Sequence, residues 1–290
     1  MPLRKRVAGM AALFLAATNF ALVILLVKLA SRHFSGLFVS GVRFATGALL
    51  CGAVLLFRRG DARLRNPKMV LLRGLFGAAS MVASFAAVSL TGPGRAALLG
   101  NTYPLFVALF GALFFKERLE ARSLLSLAVC TAGALLVMRD GSGAALLGDL
   151  LALANALLAG MAVNYVRRAS AAGDNPFVLY LSPCLFGLPL LAFAPLPSGP
   201  PPASAILLLA LVGLGSFSAQ VLMSIGYRSV PAGRGSVVFY WETALTVLLG
   251  FLFGGESPNP RFLLGLCAIL AGLWLNGGRP RGAKAAAAGR

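Results

Sequence analysis

Apolar runs of roughly 20 residues recur along almost the whole chain, separated by short clusters of arginine and lysine. A bilayer-spanning helix needs about 20 mostly apolar residues, and no water-soluble fold calls for so many runs of that length. The charged fraction is only 12%, against about 25% in soluble domains, which is too little to coat a particle in water. Mean hydropathy is +0.86. The 290 residues accommodate ten spans with short loops and leave no room for a soluble domain. The expected spans are roughly 7–30, 36–57, 68–90, 94–114, 122–138, 147–167, 176–194, 203–227, 235–253 and 261–277. Asn66-Pro67, Gly92-Pro93-Gly94, the uncharged Pro195–Pro202 stretch and Pro258/Pro260 punctuate them, as helix-breaking residues do. The run from Val7 to Lys28 exceeds a signal-peptide core and reads as the first span.

The net charge of +18 invites a nucleic-acid reading. The basic residues, however, are not interleaved with aromatics on one surface, as nucleic-acid binding requires. They sit between the apolar runs. With the N-terminus inside, 19 of the 26 Lys and Arg fall on the cytoplasmic side, 5 fall on the other side, and Arg43 and Arg73 lie within spans. This bias follows the positive-inside rule and accounts for the charge without a nucleic-acid partner. It predicts a multi-pass inner-membrane protein with both termini cytoplasmic.

Cys51, Cys130, Cys184 and Cys267 lie inside apolar segments, no CxxC spacing occurs, and His33 is the only histidine. A metal site needs clustered ligands, so none is expected, nor is any cofactor. Buried free thiols are the simplest reading.

Sliding the sequence on itself by 139 residues aligns Gly94-Arg95 with Gly233-Arg234, Gly111 with Gly250, Glu117 with Glu256, Arg122 with Arg261 and Ala132-Gly133 with Ala271-Gly272. Positions 94–136 hold 14 ungapped identities, where a composition this rich in leucine would give roughly 4 by chance. The chain therefore divides into five-span units at 1–140 and 141–278, with a basic tail at 279–290 that is expected to be disordered. An odd number of spans turns the second unit over. The expected fold is an all-α membrane protein of ten transmembrane helices in two inverted five-helix repeats, an architecture shared by many secondary transporters.

Further residues carry a resemblance. They are Thr18-Asn19-Phe20 in the first span, Arg43-Phe44 in the second, Arg73-Gly74 in the third, and Tyr103-Pro104-Leu105-Phe106 continuing to Phe115-Lys116-Glu117-Arg118. The last is Trp241-Glu242-Thr243 continuing to Gly255-Glu256. In this order the chain resembles the drug/metabolite transporter superfamily, in its EamA-type ten-helix branch, over nearly its whole length. The resemblance implies export or exchange of small metabolites such as amino acids through a central cavity lined by both halves. It does not specify the solute. The family usually has Glu-Pro in the ninth helix; Thr243 stands here instead, which puts the family's kink at that point in question.

A charge at mid-bilayer costs about 2.5–3.5 kcal/mol on insertion scales, so Arg43, Arg73 and Glu242 each need a reason. Arg73, Gly77, Ser80 and Ser84 share one helical face; that face either lines a solute path or packs closely against another helix. Glu242 either pairs with one of the arginines or takes up protons and couples them to transport. An arginine left over would select a carboxylate by bidentate hydrogen bonding. Asn19 and Asn101 are expected to turn away from lipid, because an unpaired amide is costly there; they contact solute or bridge helices. Tyr103, Tyr240 and Trp241 flank Pro104 and Glu242 and are assigned to the cavity, and Pro104 is the expected kink. Gln220 stands on a polar face of the eighth span with Gly213, Ser216 and Ser224. The substrate-binding set is thus Asn19, Arg43, Arg73, Ser80, Asn101, Tyr103, Gln220, Tyr240, Trp241 and Glu242.

There is no GxxxxGK[ST] loop for ATP, so transport must draw on a gradient or on exchange. A membrane-embedded enzyme is the second class, and it lacks paired intramembrane carboxylates, HExxH and GxSxG. A channel is the third. The partners expected are a small-molecule solute and the bilayer, with proton or exchange coupling; oligomeric state is open.

Overall fold

The computed structural model describes residues 3–57, 64–115, 121–138, 143–171, 173–197, 199–230, 232–255 and 259–277. The helices are α1 (Leu3–Ala30), α2 (Gly36–Phe57), α3 (Pro67–Thr91), α4 (Pro93–Gly100), α5 (Tyr103–Phe115), α6 (Ala121–Met138), α7 (Ala144–Ala171), α8 (Pro176–Gly187), α9 (Ala203–Ser229), α10 (Ala232–Phe253) and α11 (Pro260–Gly277). A 3-10 helix, Leu188–Phe193, extends α8. Among the described residues, seven helical segments are long and apolar enough to cross a membrane and three shorter ones are apolar. Leu49, Leu56, Phe57, Leu113, Leu135, Leu264 and Trp274 are exposed, a surface that suits lipid and would be a liability in water.

Local chemistry sets the helix boundaries. Asn66 caps α3 through its side-chain oxygen, which accepts from the Met69 N–H at 3.4 Å, and Pro67 opens the helix, where its missing N–H costs nothing. Asn175 caps α8 in the same way, accepting from Phe177 N–H at 3.0 Å. Gly92 alone joins α3 to α4, at a φ of 108° that disfavours any side chain. The run expected as one helix over 94–114 is two. It breaks at Asn101-Thr102, because the Pro104 ring cannot follow the carbonyl four residues earlier in a continuous helix. Thr102 Oγ1 donates to the Leu99 carbonyl at 2.7 Å within the break.

The packing has a pattern. With α4 and α5 counted as one span, α1 to α6 form a first set of five and α7 to α11 a second. The most extensive contacts are α3 on α7 and α1 on α9, which exchange when the two sets are exchanged. The pairs α3–α8 and α9–α2 exchange likewise, whereas α6–α11, α4–α10 and α2–α8 each map onto themselves.

Those self-paired helices run antiparallel. Ser126 Oγ donates to the Gly272 carbonyl at 2.5 Å, and Cys130 Sγ donates to that of Ile269 at 3.4 Å. A Cβ on Gly133 would lie 2.8 Å from the Gly265 carbonyl oxygen. Numbers rise along α6 as they fall along α11. Asn101 meets Thr243, and Pro93 meets Gly254, in the same sense. The α6–α11 crossing depends on glycines that admit the facing backbone, as small residues do between membrane helices.

Gly133→Ala is therefore expected to lower the unfolding midpoint, by overpacking worth about 1–3 kcal/mol. Gly52→Ala, where nothing lies within 4 Å of the added carbon, is expected not to lower it. Thermal unfolding of both variants in detergent checks this.

Candidate functional site

Arg43 on α2 is 3% exposed and Arg73 on α3 is 6% exposed. The Arg43 guanidinium carbon lies 5.2 Å from the centre of the Phe85 ring, a cation–π distance. Arg73 folds back along its own helix over Gly77, beside Pro183 of α8. Arg43, Tyr180 and Cys184 are close enough to Arg73 to interact with it electrostatically. Neither Nε has a hydrogen-bond partner among the described residues, nor has the Tyr180 hydroxyl. Glycines bring these three helices together. A Cβ on Gly47 would lie 2.6 Å from Cys184 Sγ and 3.0 Å from the Tyr180 hydroxyl. Gly74 admits Ser182, whose hydroxyl donates to the Val70 carbonyl at 2.6 Å.

No described carboxylate reaches either arginine. Asp149 binds Arg95, and Asp174 accepts from the Arg65 backbone N–H at 2.7 Å. Glu242 is half-buried on α10 and within hydrogen-bonding reach of the Asn101 amide. Of the two readings of Glu242, the ion pair with an arginine is not formed among the described residues, because α10 delivers Glu242 to the α4–α5 break while the arginines lie beside α8.

A neutral polar layer runs beside the arginines. Ser80, on the Arg73–Gly77 face of α3, donates to Asn155 Oδ1 of α7 at 2.7 Å. Gly100 abuts the Asn155 amide, and the neighbouring Asn101 amide donates to Thr243 Oγ1 at 2.9 Å. Asn19 on α1 donates to Ser218 Oγ on α9 at 2.6 Å. The two Asn–Ser pairs occupy exchanged interfaces, with the asparagines 136 and the serines 138 residues apart. Gln220 is buried on α9, and Tyr103 is half-buried where α5 restarts beside Pro104. Thr243 leaves α10 unbroken from 232 to 253, so the helix has no proline kink there.

Trp241 lies elsewhere. It is 42% exposed, stacks on Phe14 with ring centres 5.3 Å apart, and donates from Nε1 to Thr18 Oγ1 at 3.1 Å. Successive helical residues differ by about 100° in direction, so Glu242 and Thr243 turn toward α4 while Trp241 turns toward α1. The positions 139 residues from Trp241, Phe14 and Thr18 are Thr102, Leu153 and Leu157, which line an apolar groove of about 310 Å³ between α5, α6 and α7. The side chain of Tyr240, together with Glu117, Glu256 and the tail 279–290, lies outside the described residues.

Asn155, Ser218 and Tyr180 belong to the site without having been singled out from the sequence. Asn155 carries the signal that marks Asn19, an amide inside an apolar run. Tyr180 carries none, since tyrosine near a span end reads as an interface anchor. Ser80→Ala and Ser218→Ala are each expected to lower stability by about 1 kcal/mol, the worth of one hydrogen bond, readable as a reduced unfolding midpoint.

The pseudopaline exporter CntI of Pseudomonas aeruginosa is 28% identical over 258 residues, 87% of this chain and 89% of that one. The riboflavin transporter of Rhizobium johnstonii is 28% identical over 213 residues, 71% and 68% of the two chains. One crystal structure matches 95% of this chain and 96% of its own with a TM-score of 0.63 at 22% identity, which establishes a shared fold. The sequence model of one family of transporters, not enzymes, matches residues 7–139 and again 146–278. This chain is a multi-pass membrane protein that belongs to the EamA-like transporter family.

Proposed function

We propose that this chain is a secondary transporter that moves a small carboxylate-bearing solute, amino-acid-like in its chemistry, by alternating access of two inverted five-helix halves. The observation that carries the substrate class is the pair Arg43 and Arg73, both buried and both without a carboxylate partner among the described residues. A buried charge without a counterion is costly, and a carboxylate arriving in the cavity offsets that cost by forming charge-assisted, forked hydrogen bonds. Ser80, Asn155, Asn101 and Asn19 supply neutral polar contacts for the rest of the solute.

The antiparallel crossings of α6 with α11 and of α4 with α10 support the inversion, since each is a helix meeting its own counterpart from the other half. Ten spans follow if the broken α4–α5 unit and each shorter apolar helix cross once. Inverted halves can exchange conformations and so expose one central site to either face in turn. The lysine and arginine distribution supports an inner-membrane location with both termini cytoplasmic. The pseudopaline exporter among the relatives supports outward movement. Glu242, whose neighbour is the Asn101 amide rather than a guanidinium, supports proton coupling.

Counterflow in proteoliposomes tests this reading. A transporter shows exchange stimulated by internal solute, a channel does not, and an enzyme alters the solute. Arg43→Gln and Arg73→Gln are each expected to weaken exchange of a carboxylate solute about tenfold to a hundredfold, from the loss of a charged hydrogen bond of about 1.5–3 kcal/mol. Unchanged exchange in folded variants would overturn the substrate class. Glu242→Gln is expected to keep counterflow while losing accumulation driven by a proton gradient, measured with an imposed pH step.

A further inference from the structure

One carboxylate ties three helix ends together at the face where α3 ends and α4 and α7 begin. Asp149, in the second turn of α7, is fully buried. Arg95, in the first turn of α4, holds it with both arms of its fork, Nε to Oδ1 at 2.7 Å and a terminal nitrogen to Oδ2 at 2.6 Å. Thr91, the last residue of α3, adds its hydroxyl to Oδ1 at 3.0 Å. The helices touch closely just beside this cluster, where a Cβ on Gly148 would lie 2.8 Å from that of Thr91.

The other half repeats the packing but not the carboxylate. A shift of 139 residues carries Gly148 to Gly9 and Arg95 to Arg234, yet it carries Asp149 to Met10 and Thr91 to Val230. The close approach survives, since a Cβ on Gly226 of α9 would lie 2.9 Å from the Gly9 carbonyl oxygen. Two halves with identical side chains would make the two access states equal in energy. Whatever breaks the likeness sets their ratio, because an equilibrium moves only by what distinguishes the two states.

We infer that Arg95, Asp149 and Thr91 form a one-sided gate latch, which holds their face of the protein shut and biases it toward the state open on the opposite face. This rests on the alternating-access reading. Pulling such a pair apart in a dry interior is prohibitive. At a helix end, opening admits water, which rehydrates both ions as they separate, so the latch releases only when the face opens. The lysine and arginine bias assigns that face to the extracytoplasmic side.

The test uses Cys184, buried beside Arg43 and Arg73, as the single remaining thiol in a Cys51→Ser, Cys130→Ala, Cys267→Ser background. A membrane-impermeant thiol reagent is applied to each face of reconstituted protein separately. With the latch intact, labelling from the latch face is expected to be at least tenfold slower than from the opposite face. Asp149→Asn is expected to raise the latch-face rate at least tenfold, and the milder Thr91→Val about twofold to threefold. Exchanging the charges, Arg95→Asp with Asp149→Arg, is expected to return the rate to the parent value. A latch-face rate unmoved by Asp149→Asn and Thr91→Val in folded protein, or a charge exchange that restores the unfolding midpoint but not the rate, would overturn the latch while leaving alternating access standing. Labelling absent from both faces in every variant would overturn alternating access, and the latch with it.

Discussion

Inside a bilayer a polar group has no water to fall back on, so each must find its partner within the protein. That constraint organises this molecule. The exposed surfaces of the helices are rich in leucine and phenylalanine, and the hydroxyls and amides of the spans bond either back to their own helix, as Ser40 and Thr46 do, or across to another, as Asn19 and Ser80 do. Ser126 reaches a carbonyl of α11, Ser182 one of α3, and Asn164 the carbonyls of Val107 and Gly160. Among the described residues the Nε atoms of Arg43 and Arg73 lack a partner, as do the buried hydroxyls of Tyr180, Ser216 and Thr246.

The near-symmetry of the packing has consequences of its own. It repeats the Asn–Ser bridge in two interfaces and the glycine contacts on both sides of the α6–α11 crossing. Its departures are as informative as its agreements. The position of Trp241, stacked on Phe14, corresponds to Thr102, which lines an apolar groove. A carboxylate at one end of the bundle meets a methionine at the corresponding position.

Much of the fold was legible from residue order. Apolar length identified the spans, proline and glycine placed their ends, and the 139-residue self-match grouped them, because each signal is local or a plain repetition of a local pattern. The break at Asn101-Thr102 was legible only as a kink at Pro104. Whether a proline bends a helix or divides it depends on whether neighbours accept the freed carbonyls. The candidate site was legible in part. Arg43, Arg73, Ser80, Asn19 and Asn101 announced themselves as polar residues in apolar runs. Their partners did not, since Asn155, Ser218 and Asp149 come from spans distant in sequence.

The sequence by itself determined that this chain lies in a membrane, in two related units, with two arginines deep in apolar surroundings. These conclusions need only hydropathy, spacing and self-comparison. Only the tertiary structure decided that Glu242 meets Asn101 instead of an arginine, that Trp241 turns outward onto Phe14, and that Asp149 joins Arg95 and Thr91. Those outcomes hinge on the rotation and crossing of one helix against another. Small side chains set that geometry jointly on both partners, and no single stretch of chain encodes it.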